Sequence, residues 1–110
     1  KGEDEIKREF SAMLKAMTGK GPKNVSVFMN GNSIEMVASE VLTTFEKNRL
    51  DNNRNIAIIK HVRELFFSVK EKELCQMILK VAGCGVTLSK VIISVEKDKN
   101  KLIFTVDQSE

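Results

Sequence analysis

The chain has 110 residues, 18 Lys or Arg against 15 Asp or Glu, a net charge of +3, and 42% hydrophobic residues. That is enough for one folded domain over residues 1–110, and too apolar for a disordered tail. Basic and acidic residues are interleaved along the chain, unlike the one-sided basic face of a nucleic-acid reader, and no apolar run approaches the roughly 20 residues of a membrane span.

In chain order, Ile6, Phe10, Met13, Leu14 and Met17 recur at helical spacing from about Glu3 to Met17. Gly19 follows at the position of a helix C-cap, and Pro22, the chain's one proline, stands where a helix cannot continue. The stretch Gly19-Lys20-Gly21-Pro22 invites comparison with a phosphate-binding loop, which needs a strand before it and a helix after it. Here the order is reversed, so the reading is an elbow between helix and strand. Lys20 and Lys23 remain candidate anion or partner contacts.

From Asn24 the period is two. Val25, Val27 and Met29 alternate with polar residues, Asn30-Gly31 forms a type I′ turn signal, and Ile34, Met36 and Ala38 alternate again. Thr43 or Thr44 then offers an N-cap with Glu46 close behind, which predicts a short helix. Ile59, Val62, Phe66 and Val69, then Leu74, Ile78 and Val81, predict one long helix from about Asn53 to Ala82, ended by Gly83. At 1.5 Å per residue it would measure roughly 45 Å, longer than a domain with a radius of gyration of about 13 Å can cover. Either it breaks near Ser68 to Lys72, where the apolar pattern slips, or it meets a second copy of the chain. Ile58, Leu65, Cys75 and Ile78 widen its apolar surface, and the expectation is a homodimer built in part on this helix.

Val86 and Leu88 open a strand, and Val91, Ile93 and Val95 continue it on the other parity, which predicts a bulge near Ser89-Lys90. A turn over Lys97 to Asn100 leads to Leu102, Phe104 and Val106. The fold class is therefore α+β: an antiparallel sheet of two hairpins with helices on one face, in the order helix, hairpin, short helix, long helix, hairpin. The expected core is Phe10, Leu14, Val27, Met36, Val62, Phe66, Val69, Ile93 and Phe104.

Chemistry-bearing residues are sparse. Cys75, Cys84 and one histidine cannot supply a four-ligand zinc site, so the cysteines read as free thiols, and no metal or cofactor is expected. His61 lacks a nucleophile or carboxylate that the sequence singles out beside it, and reads as a boundary or surface residue; with Arg63 it is kept as a possible anion or partner contact. Phe66 and Phe67 could stack on bases only from an exposed basic surface, and there is no Trp or Tyr to join them.

The stretch "EFSAMLKAMTGKGPKNVSVFMNGNSI" resembles the opening of the small MpsC-like proteins, components of a sodium-translocating membrane-potential-generating system. The similarity continues through "VLTTFEKNRL", where Thr43 and Glu46 match the family's Leu-Thr-Pro-x-Glu and Thr44 replaces its proline. It extends into "VRELFF" and "KELCQMILKVAGCGV", at Arg63, Phe66, Glu73, Leu74, Gly83 and Val86. Where the family often has Ser-Asp, this chain has Ser89-Lys90. The resemblance implies a role near a membrane ion or bicarbonate transport system; with no catalytic signature and no apolar leader or span in the chain, the expectation is a non-enzymatic accessory or regulatory protein, cytoplasmic and at most peripheral to the membrane, with a transporter among its partners. The alternative is a module binding nucleic acid or a phosphate ligand, suggested by the basic elbow, although no specific nucleic acid is expected.

Overall fold

The computed structural model describes residues 2–107. Its elements are α1 (Glu3–Thr18), β1 (Asn24–Asn30), β2 (Ser33–Ser39), α2 (Thr44–Lys47), α3 (Asn53–Val69), α4 (Glu71–Ala82), β3 (Val86–Ser94) and β4 (Lys99–Val106). The four strands form one antiparallel sheet in the order β1-β2-β4-β3. This is the expected α+β architecture, with the two hairpins joined through β2 and β4.

Local signals account for most boundaries. Gly19 closes α1 at φ +82°, its N–H donating to the Lys15 carbonyl at 2.8 Å. The first hairpin turns on Gly31-Asn32 rather than on Asn30-Gly31, since Asn30 pairs with Ser33. Gly31 has φ +62° and Asn32 does not go positive, the sign pattern of a type II′ turn, which asks for glycine at its first central position. The register shift between β3 and β4 falls between Leu88 and Lys90, as the change of parity predicts.

The bulge keeps apolar residues on one side along the whole of β3. In register, Val27, Met36, Leu102 and Val91 form one row across the sheet, and Val25, Ala38, Asn100 and Ile93 form the next. The helices bury this face: α1 packs on β1, α3 on β3, and α4 on both α1 and β3. Ile6, Phe10 and Leu14 of α1 and Leu74, Met77 and Ile78 of α4 join it in one buried cluster.

The single long helix is corrected to two. Lys70, at φ −95° and ψ 6°, ends α3 and precedes α4, within the segment where the apolar pattern slips. A straight rod of 30 residues could not follow a twisted sheet, and the break lets each half lie on β3 separately.

The inward face of α3 is also corrected. Ile59, Arg63 and Phe67 point inward, while Val62 is 38% and Val69 70% exposed, and Phe66 is only partly buried. The pattern misleads because its central inward position is an arginine. Phe10, Leu14, Val27, Met36, Ile93 and Phe104 lie in the core as expected. Phe67, fully buried and 6.2 Å from the Phe10 ring, takes the place expected of Phe66. Phe67→Ala should therefore cost about 3–5 kcal/mol in urea denaturation, with Phe66→Ala distinctly cheaper; the reverse order would mean that α3 is turned the other way.

Candidate docking surface

The site begins with the loop between β2 and α2. Glu40 adopts φ +55°, and the chain then passes inward through the buried Val41 and Leu42. Asp98, in the β3–β4 turn, accepts both of their amides on one carboxylate oxygen, at 2.8 and 2.9 Å, while its carbonyl accepts from the Glu40 amide at 2.9 Å. Three amides of a turning segment are thus satisfied by one residue from a distant turn.

Thr43 then caps α2 in a full capping box. The Glu46 amide donates to the Thr43 hydroxyl at 3.2 Å, and the Thr43 amide donates to Glu46 Oε1 at 2.8 Å. The same carboxylate receives Arg63 from α3, with Nε at 3.0 Å and Nη2 at 2.5 Å, and Nη2 also donates to the Val41 carbonyl at 2.8 Å. Arg63 is fully enclosed, and its Nη1 has no hydrogen-bond partner among the described residues. Burial raises the pKa of Glu46, but hydrogen bonds from Arg63 and Thr43 and the charge of Arg63 outweigh it, so the carboxyl lies below its ordinary value.

Of the four sequence-derived candidates, Arg63 alone belongs to this network. Arg63 has no surface to offer a ligand. His61 is exposed on α3, and the structure does not bring it to Arg63's partner. Lys20 and Lys23 come together at a third place, the end of β2: Lys20 Nζ donates to the Glu40 carbonyl, and Lys23 Nζ lies 3.8 Å from the Glu40 carboxylate. The elbow's amides are committed as well, Gly19 to Lys15, Lys20 to the Thr18 hydroxyl and Lys23 to Ser39. A phosphate cradle needs such amides free and convergent, and here two close the helix end while that of Lys23 ties the elbow to β2.

With Arg63 inward, the apolar side chains of α3 face out. Ile58 is 51%, Leu65 53% and Val69 70% exposed, with Val62 between them. The stripe borders a shallow apolar groove of about 320 Å³ whose walls include Thr18, Phe45, Ile58, Val62 and Phe66. Phe45 on α2 is itself 66% exposed, with the Arg49 guanidinium 4.4 Å from the centre of its ring. A second depression, lined by Met17, Leu65, Phe66, Val69 and Lys70, extends the apolar surface toward the end of α3. Sequence reasoning noted Ile58 and Leu65 beside the main stripe but placed Val62 and Val69 in the core. Apolar side chains grouped in this way on one face are unlike the singly scattered ones of an ordinary surface.

Other chemistry is thin on the ground. Among the described residues no group of three or more His, Cys, Asp or Glu is placed to hold a metal ion. Cys75 and Cys84 are free and half-buried, and burial pushes the Cys75 thiol up. No helix among the described residues is long and apolar enough to cross a membrane.

The family model for the Na+-translocating membrane potential-generating system (MpsC) matches residues 1–108. The chain belongs to that family. No curated protein and no solved structure matches it.

Because the folded-state pKa of Glu46 is depressed, its contribution to stability is present above the unfolded value and is lost as pH falls through the folded one. Wild-type stability should decline as pH falls below the ordinary glutamate value of 4.5, and Glu46→Gln should be less stable at pH 7 with a flatter profile in that acid range. Parallel profiles from urea titrations at each pH would contradict the assigned role.

Proposed function

We propose that this member of the MpsC family is a non-enzymatic accessory protein that works by protein contact at a membrane system handling sodium or another small ion such as bicarbonate. It is cytoplasmic in this reading, reaches the membrane through a transport subunit, and acts as a homodimer. The observation that carries the proposal is the exposed row Ile58, Val62, Leu65 and Val69 beside Phe45. Large apolar side chains grouped on one face lower the free energy when a partner covers them, at roughly 25 cal/mol per Å². The family match supplies the setting, since its description names a membrane-potential-generating system.

A purely lipid-directed role fits less well. The stripe is flanked by His61, Ser68, Ile59 and Phe66, not by the Lys/Arg-rich face that holds an amphipathic helix on anionic lipid. A phosphate or nucleic-acid role at the elbow would draw on Lys20 and Lys23, and both lie against the acidic Glu40, which lowers their pull on an anion.

Flotation with native membrane vesicles tests the reading. The chain should float with vesicles that carry their proteins, stay behind with liposomes of the extracted lipids, and be released when the vesicles are pretreated with protease. Equal flotation with bare liposomes, or tight and salt-sensitive binding to RNA in place of membrane binding, would overturn it.

A further inference from the structure

We infer that the exposed face of α3 is covered by the same face of a second copy, running antiparallel to it across a two-fold axis that passes between Val62 and Leu65. The inference rests on the protein-contact reading above and names the occupant of that surface.

Three observations select a second copy over an unrelated partner. The first is spacing. Ile58, Val62, Leu65 and Val69 are separated by four, three and four residues, which is the a/d repeat of a helix-pairing seam. The interval 4-3-4 also reads the same in both directions. Reversing one helix therefore places Ile58 against Val69 of the other copy and Val62 against its Leu65, so every apolar residue of the row meets an apolar residue at the same height. A partner of unrelated sequence would have to supply that pattern; a second copy supplies it by symmetry.

The second observation is charge. Across an antiparallel two-fold the borders of the seam face each other, so borders of one sign would repel, and uncharged borders remove that cost. Between Ile58 and Val69 the bordering positions are His61 and Ser68 on one side and Ile59 and Phe66 on the other. The other charges of this stretch are Lys60, Glu64 and Arg63. Lys60 and Glu64 lie outside the seam and its borders, and Arg63 is buried against Glu46. The helix thus holds its one inward charge in an internal pair and leaves the outer seam uncharged.

The third is area. From Ile58 to Val69 the row is about 17 Å long, and Phe45 and Phe66 lie beside it around the groove. With Phe45 and three of the four row residues more than half exposed, the apolar centre is on the order of 400 Å² per copy, about half of the 800 Å² per partner that a standard interface buries, before any polar rim is counted.

Light scattering on the purified chain over a dilution series, from roughly 1 to 200 µM, reads the association directly. The expected mass at the top of the range is twice the chain's 12.4 kDa. Leu65→Glu changes a side chain that is 53% exposed, so it should keep the circular dichroism spectrum and the dilute-solution melting temperature while weakening the dimer at least tenfold.

Disulfide trapping gives the register. In a background with Cys75 and Cys84 changed to Ser, a mixture of Val62→Cys and Leu65→Cys chains should cross-link as the mixed pair in preference to either like pair. A dominant Leu65-to-Leu65 cross-link would mean parallel helices and overturn the geometry. A mass that stays at 12.4 kDa at 200 µM would overturn the inference. In that event flotation with native vesicles still stands or falls by itself: binding that is lost in Leu65→Glu would keep the protein-contact reading and assign this face to the membrane partner.

Discussion

The buried ion pair between Glu46 and Arg63 sets the arrangement of everything around it. An arginine with no solvent exposure is costly to desolvate unless its donors are satisfied, and here one carboxylate and the Val41 carbonyl take three of its hydrogen bonds. Glu46 can reach Arg63 only because the capping box holds α2 in place, and Val41 is available only because Asp98 holds the loop from the opposite side. A short helix of four residues, a turn between two strands and the middle of α3 are thereby locked together. The four-residue α2 depends most on this, since it buries no residue of its own.

The same pair explains the surface. A helix on a sheet has one inward stripe, and on α3 that stripe is Ile59, Arg63 and Phe67. If Arg63 is inside, then the row one step round the helix is outside, and that row is Ile58, Val62, Leu65 and Val69. The protein therefore bears an internal charge and an external apolar seam on a single helix. A fold built for stability alone would exchange them, because well-packed apolar residues often outdo a buried ion pair.

How much of this was legible in the sequence follows from the range of each signal. Gly19, the Thr43–Glu46 capping box and the parity change at Ser89-Lys90 are signals carried within a few residues, and each led to the right element. The hairpin was legible too, although its turn lies one residue further on, because glycine at φ +62° fits the first central position of the turn that forms. The facing of α3 was not legible. Periodicity assigns apolar residues inward and arginine outward, and only the distant partners Glu46 and Val41, 17 and 22 positions away in the chain, reverse that assignment. Lys20, Lys23 and Arg63, singled out as possible anion or partner contacts, lie against Glu40 and Glu46, which no local pattern ties to them; His61 stands exposed on α3.

The central claim is that Glu46 and Arg63 act as one unit that orients α3, and a double-mutant cycle measures it most directly. Glu46→Ala, Arg63→Ala and the double variant would be compared with the parent by urea denaturation at neutral pH. The account predicts a coupling of about 2–3 kcal/mol, with the double variant less destabilised than the two single changes combined. Additivity within about 0.5 kcal/mol would contradict it, because two residues that do not sense one another cannot be what turns the helix.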